Sequence, residues 1–291
     1  MTPAGPSQAG APGVEDAVAR PVSRRALLTG CGASVLCAAA GFAGGRRQAR
    51  HTVGLESRVA EPTKTRAERA VAQPDGVFFV ETDRPVVALS FDDGPDPAYT
   101  PSVLETLARF EAKATFFTVG VNAAGYPGLL ARELAAGHRI GNHTLDHADL
   151  ELVTPEEVAV EIDKGEQAIV GAGAPRPDLF RPPMGFTDEV VGVFADAYRY
   201  RTIFWGVCVE RFVDHAGVRP GIDRLLARVR PGTIVLAHDG GHIEAPDRPV
   251  VNRDRTMEAL PLLLDGIRRK GLQAVDVATL LAAGRRSRRS A

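Results

Sequence analysis

The strongest constraint on this chain is a repeated juxtaposition: a short apolar run, then at its end a residue able to do chemistry. It occurs at Ser90-Phe91-Asp92-Asp93-Gly94-Pro95, His143-Thr144-Leu145-Asp146-His147, Phe180-Arg181-Pro182-Pro183-Met184-Gly185, Trp205 to Cys208, and Leu236-Ala237-His238. Val86 to Phe91, Ala114 to Val119, Arg139 to Gly141, Leu179 to Arg181, Thr202 to Val207, Thr233 to Ala237 and Leu272 to Val275 read as strands. Most are continuous apolar runs, the pattern of strands covered on both faces. Helices are expected between them. Thr154-Pro155-Glu156-Glu157 is a capping box with Pro at the first helical position, and Val158, Ile162 and Ile169 share one face before Gly171 closes the helix. Thr100-Pro101 opens another, carrying Val103, Leu104, Leu107 and Phe110. Pro261 is expected to kink or divide the segment from Thr256 to Lys270. Strand-helix alternation implies a parallel α/β sheet, here an irregular (β/α) barrel of about seven strands. All strand ends of such a barrel open onto one face, where active sites sit.

The 291 residues suffice for one barrel-sized domain plus appendages. A formal net charge of -1 gives no reason to expect nucleic acid as a partner. The N-terminus reads as a targeting segment over residues 1–43. Ser23-Arg24-Arg25-Ala26-Leu27-Leu28 resembles a twin-arginine export signal, followed by an Ala- and Gly-rich apolar run to Ala43. Cleaved export is the first expectation, an uncleaved membrane anchor the second and lipidation at Cys31 the third. Residues 44–76 read as a linker, 77–284 as the folded domain and 285–291 as a basic tail. Cys31 and Cys37 lie in the targeting segment, so Cys208 is left alone in the domain and the core must carry stability without a disulfide.

Each candidate has a bland and a chemical reading. Asp92 and Asp93 are adjacent carboxylates that repel each other, so keeping both suggests a cation or a proton-transfer task; Asp-Gly and Gly-Pro are also ordinary turn dipeptides. His143 and His147, four apart, fit one side of a helical turn, and two imidazoles with a carboxylate leave an open position on a zinc-like ion. Asp146 between them either supports a neighbouring metal ligand or is merely solvated, and the solvated reading is preferred. Arg181, stiffened by Pro182-Pro183, is placed to hold a neighbouring Asp ionised, or to make a structural ion pair. His238 is either a rim residue or a proton donor. Trp205 is core filler or the wall of a sugar-facing pocket. Five bland coincidences, all at strand ends, are much harder to accept than one.

Taken together, FDDGP, H-T-x-x-H, R-x-P-x-G, a Trp strand and L-x-H resemble, in that order, the polysaccharide deacetylases of carbohydrate esterase family four, the NodB-homology domain. The resemblance runs from about Arg84 to Ala282 and implies a distorted (β/α)7 barrel that hydrolyses N-acetyl or O-acetyl groups. It implies that Asp93, His143 and His147 hold a divalent metal, zinc first, with cobalt or nickel as alternatives. It implies Asp92 as the base acting on water, Arg181 as its orienting partner and His238 as the acid for the departing amine. A backbone N–H near Met184 would help hold the oxyanion. Trp205, Leu236, Pro183, Met184 and Gly185 would line the substrate pocket.

One motif departs. Many relatives follow the Trp with W-x-x-D-x-x-D-W, and here Cys208 stands where the first Asp would be. Asp214 or Glu210 are the carboxylates that could substitute, and Cys208 reads as a small packing residue. Met184 replaces the family's aromatic, with Phe186 close by in sequence. The expectation is an exported, monomeric, metal-dependent deacetylase of N-acetylated glycans in peptidoglycan or chitin-like material. An O-acetyl esterase, a non-sugar amide hydrolase and a weakly active glycan-binding protein are the alternatives. The segment from Asp239 to Arg255 is expected to form a loop beside the site.

Overall fold

A computed structural model of the protein describes residues 76–185, 187–243 and 250–284. The targeting segment, all but the last residue of the linker, the basic tail and Phe186 lie outside the described residues. Among those described, no helix is long and apolar enough to cross a membrane.

The strands are β1 (Val86–Asp92), β2 (Thr115–Thr118), β3 (Arg139–Asn142), β4 (Leu179–Phe180), β5 (Arg201–Thr202), β6 (Val207–Cys208), β7 (Ile234–His238) and β8 (Gln273–Val275). They form one sheet in the order β5-β4-β3-β2-β1-β7-β6, with β8 against the first half of β1, and every pairing is parallel. The register sets Asp92 directly beside His238. Helices α1 (Thr100–Arg109), α2 (Gly120–Gly125), α3 (Pro127–Ala135), α4 (Pro155–Gly171), α5 (Glu189–Ala197), α6 (Val209–Ala216), α7 (Val218–Leu226), α8 (Asp254–Arg269) and α9 (Val277–Ala283) fill the connections. The result is a curled, parallel-stranded incomplete barrel with helices around it, the distorted (β/α) architecture that the alternation implied.

The two-residue period of each strand sorts its side chains. Val87, Leu89 and Phe91 of β1 join Phe116, Val235 and Ala237 in a cluster with Val103, Leu107, Leu263 and Ile267 of the surrounding helices. Each fully buried Val, Leu, Ile or Phe among them stabilises the fold by about 1.5–3 kcal/mol. Ala88 faces the other way, with Phe117, Ile203 and Ile234 in the barrel interior. Ser90 and Asp92 share the face of Ala88, so the sequence pattern itself delivers polar groups to the inner, upper end of the barrel.

Two expectations change. The apolar run Thr202 to Val207 is not one strand: β5 ends at Thr202 and β6 begins at Val207. Between them the carbonyls of Ile203 and Phe204 accept hydrogen bonds from Arg181 at 3.0 and 3.1 Å, so they are spent on a side chain and not on a continuous ladder. Pro261 does not divide its segment, because α8 runs unbroken from Asp254 to Arg269 with the proline inside. The capping box at Thr154 is present, with both Thr154 and Glu157 bonding the other's backbone N–H. α1 opens at Thr100 with its proline in the first turn.

Candidate active site

Arg181 is the hub of the barrel's upper end. It leaves β4 at once and is fully buried, which for a guanidinium requires nearly complete pairing. Its Nη1 donates to Asp92 Oδ1 at 2.6 Å and to Ser90 Oγ at 3.0 Å. Nε and Nη2 take the carbonyls of Ile203 and Phe204, and the guanidinium carbon sits 4.0 Å from the centroid of the Phe117 ring. Asp92 therefore has one oxygen fixed by charge-assisted hydrogen bonding, while Oδ2 points toward His143 Nε2 at 3.8 Å.

Asp93 follows β1 in a left-handed conformation (φ 75), which turns its carboxylate away from the strand axis. Its Oδ1 is buried and accepts no hydrogen bond, yet it lies 3.6 Å from His143 Nε2 and 3.3 Å from His147 Nε2. One ligand atom from each of the three residues falls within 4.8 Å of the others. An orphaned buried carboxylate oxygen between two imidazoles is what a divalent cation satisfies, so these side chains fit the ion that the resemblance implied. His143 Nδ1 lies 2.6 Å from the carbonyl of Arg181, which fixes Nδ1 as the protonated nitrogen and leaves Nε2 as the ligand. Burial alone would raise the Asp93 carboxyl. His143 and His147, with the charge of His238 behind them, instead hold it well below the usual carboxylate range.

The two histidines do not share a helical turn. They stand on a loop in which Thr144 and His147 are left-handed (φ 69 and 62), with the rings edge to face at 5.0 Å. Polar neighbours that the motif does not announce build this loop. Glu161 Oε2 accepts from the backbone of Leu145 and Asp146, Asn142 Oδ1 from Thr144, and Thr144 Oγ1 from His147. Gly165 of α4 permits close approach, since a Cβ there would lie 2.6 Å from the Thr144 carbonyl carbon. Arg253, also unforeseen, donates to Asp93 Oδ2 at 2.8 Å and to the Gly240 carbonyl at 2.9 Å. It comes from the segment after His238, and nothing in its local sequence distinguishes it from a surface arginine.

His238 ends β7. Its Nδ1 lies 3.0 Å from Glu210 Oε2, close enough for an ion pair but off the line of a good hydrogen bond. Glu210, in the first turn of α6, is anchored through Oε1 by the backbone N–H of His238 and by Thr256 Oγ1. Burial by itself would lower His238, but the Glu210 carboxylate beside it wins and raises it from 6.5 to about 9. Glu210 shows the complement: burial pushes it up, His238 pulls it down further, and it settles at about 2. Of the two carboxylates that could substitute for the absent Asp, Glu210 is therefore the one at the site. Asp214 is on the surface with Arg255 at 3.5 Å. Cys208 is half-buried and its thiol lies 3.4 Å from Glu210 Oε2, so it is not simple packing.

The pocket residues are less uniform. A cavity of about 420 Å³ is lined by Phe78, Gly185, Trp205, Cys208, Arg211 and Phe212 among others, with none of Asp92, Asp93, His143, His147, Arg181 or His238 in its wall. Trp205 and Gly185 thus reach it. Pro183 and Met184 form a 3-10 turn with Gly185, Met184 being left-handed (φ 57) and partly exposed. Leu236 is 2% exposed and shares the inner face of β7 with Ile234 and His238, beneath the site and not among the residues lining the cavity.

The family model described as polysaccharide deacetylase matches residues 79–203. A peptidoglycan-N-acetylglucosamine deacetylase of Bacillus cereus is 34% identical over 73% of this chain and 97% of its own length. A chitooligosaccharide deacetylase of Bradyrhizobium sp. is 38% identical over 64% of this chain and 86% of its own. Among solved structures, a peptidoglycan N-acetylglucosamine deacetylase superposes with a TM-score of 0.64 at 28% identity, covering 72% of this chain and 95% of that one. A family-four pseudoenzyme from Bacillus anthracis shares the fold at TM-score 0.63 and 23% identity, covering 73% of this chain and 71% of its own. The barrel alone therefore does not decide activity, and the weight falls on the side chains at its upper end. With those motifs in order, the chain belongs to the polysaccharide deacetylase family of carbohydrate esterase family four and is a deacetylase.

Proposed function

We propose that this protein removes N-acetyl groups from N-acetylated glycans of the peptidoglycan or chitin type, using a divalent metal, zinc first. The observation that carries this is the placing of two proton-transfer groups of opposite charge, Asp92 held by Arg181 and His238 held by Glu210, at adjoining strand ends beside the Asp93–His143–His147 ligand set. An ion held by those three residues would supply a Lewis acid for the acetyl carbonyl and make water acidic enough to ionise near neutral pH.

The chain's own groups account for the proton transfers. Asp92 has Oδ1 immobilised by Arg181, so Oδ2 is the oxygen that accepts a proton from the attacking water. With Nδ1 turned toward Glu210, His238 offers Nε2–H to the departing nitrogen. An amine anion is far too basic to leave, whereas an alkoxide leaves more readily. An imidazolium held protonated by Glu210 therefore favours amide over ester cleavage. The turn Pro183–Gly185 fixes the backbone beside which the tetrahedral oxyanion forms, and Trp205 presents an aromatic wall to the sugar. The twin-arginine-type segment at Ser23-Arg24-Arg25 supports export to such a substrate.

The test is acetate release from chito-oligosaccharides and from peptidoglycan, with zinc, with chelator, and with Asp92→Asn. We expect zinc-dependent release that chelation stops and that Asp92→Asn lowers by about 100-fold or more. Equal release from both glycans by Asp92→Asn and wild type would overturn the base assignment. No release from either, with zinc bound, would overturn the glycan substrate.

A further inference from the structure

Cys208 ends β6, Glu210 opens α6 and His238 ends β7, and β6 and β7 are paired neighbours. Their ligand atoms consequently converge. Cys208 Sγ is 3.4 Å from Glu210 Oε2, His238 Nδ1 is 3.0 Å from the same oxygen, and all three lie within 4.8 Å of one another. A tetrahedral zinc ion with ordinary bond lengths holds such S, N and O atoms about 3.3–3.6 Å apart, so only small adjustments separate this cluster from a coordination shell. The donors are a thiol, an imidazole and a carboxylate. Thiolate in the set selects a thiophilic ion such as zinc over magnesium, calcium or manganese.

Two further features fit a site. The Nδ1 atom of His238 is buried and lacks a well-aligned acceptor despite its closeness to Glu210, so its present partner leaves it incompletely satisfied. Cys208 also lines the 420 Å³ cavity, so the thiol end of the cluster can be reached from there. The Asp93–His143–His147 cluster uses none of these three side chains.

We propose that Cys208, Glu210 and His238 form a second, thiolate-containing zinc site whose occupation switches the enzyme off. Binding replaces the thiol proton of Cys208 and the Nδ1 proton of the His238 imidazolium. Two protons are released, Glu210 being already ionised, and no redox change occurs. The imidazole then carries the metal on Nδ1, and its remaining Nε2–H is a much weaker acid than the imidazolium it replaces. The site rests on the geometry alone, whereas the switching-off rests on the deacetylase reading above.

The experiment saturates the purified protein with cobalt and reads metal per chain together with the ultraviolet-visible spectrum. Wild type is expected to bind two ions, the second bringing a thiolate-to-cobalt charge-transfer band that the nitrogen and oxygen ligands of the first site cannot give. Cys208→Ser should bind one ion and lack the band, and Asp93→Asn should lose one ion and keep the band. A single cobalt per chain in wild type, or saturation without the band, overturns the site whether or not either variant folds. In parallel, zinc beyond the first equivalent should lower wild-type acetate release at least tenfold and change that of Cys208→Ser less than twofold. A charge-transfer band without inhibition would overturn the switching-off and leave the site standing. Absence of any activity beside a normal band would count against the deacetylase reading alone.

Discussion

Replacing Glu210 with Gln isolates the charge that this chain uses to keep His238 protonated. Gln keeps the size of the side chain and an acceptor for the His238 N–H and Thr256 Oγ1, but removes the carboxylate beside Nδ1. The rise of His238 from 6.5 to about 9, at about 1.4 kcal/mol per pKa unit, corresponds to about 3 kcal/mol in favour of imidazolium. The fall of Glu210 from 4.5 to about 2 reports the same interaction from its other end. Without the charge, burial is the dominant influence and pulls His238 to 6.5 or lower. A general acid acts only while protonated, so activity is lost as pH rises through its pKa. The alkaline limb of kcat/KM should therefore lie at lower pH in Glu210→Gln than in wild type, by about 2.5 pH units. Between the two limbs the loss grows about tenfold per pH unit above the limb of the variant, and it shrinks toward nothing below both. A cation in the Asp93 site repels the imidazolium in both proteins and lowers both limbs, so the displacement between them is the readout. The assay is kcat/KM for acetate release from pH 5 to 10 at fixed zinc. A limb that moves by less than one pH unit would refute the electrostatic argument.

Three other outcomes follow from the same contacts. Arg181→Lys keeps the charge but cannot reach Asp92, Ser90 and two carbonyls at once; urea unfolding should show a loss of about 3–5 kcal/mol, and an unchanged midpoint would contradict the hub role. Gly165→Ala gains helix propensity, worth about 1 kcal/mol, yet its methyl meets the Thr144 carbonyl carbon at 2.6 Å and Asn142 Oδ1 at 2.7 Å. Calorimetry should show weaker zinc binding and a lower Tm, and a raised Tm with unchanged affinity would disprove the clash. The Glu210–His238 pair also makes stability pH-dependent. The raised histidine contributes fully below 6.5 and is lost as pH rises through about 9; the lowered glutamate contributes above 4.5 and is lost as pH falls through about 2. Denaturation of metal-free protein should show about 3 kcal/mol disappearing between pH 6.5 and 9.5, and Glu210→Gln should lack that slope.

The parallel barrel, the capped helix at Thr154 and the motif residues were legible in the sequence because each depends on local chemistry. Buried strands read as unbroken apolar runs, a capping box spans three residues, and Asp92, Asp93, His143, Arg181 and His238 stand where those runs end. The run from Thr202 to Val207 misled because its hydrophobicity reports burial, while its hydrogen bonds are settled by Arg181 arriving from β4. The His143–His147 spacing is equally compatible with a helical turn, and only Glu161, Asn142 and the close approach of Gly165 impose the left-handed loop.

The sequence by itself determined which chemical groups are present and which strand end each occupies, because an unbroken apolar run and the residue that ends it are local features of the chain. It also exposed the departure at Cys208. Which carboxylate answers for that departure was decided only in three dimensions. Glu210 reaches His238 because α6 begins directly after a β6 that pairs with β7, whereas Asp214, four residues on, faces Arg255 at the surface. Arg253 reaches Asp93 across 160 positions of chain. Charge coupling depends on distance through space and on burial, and neither is a property of any stretch of sequence short enough to read.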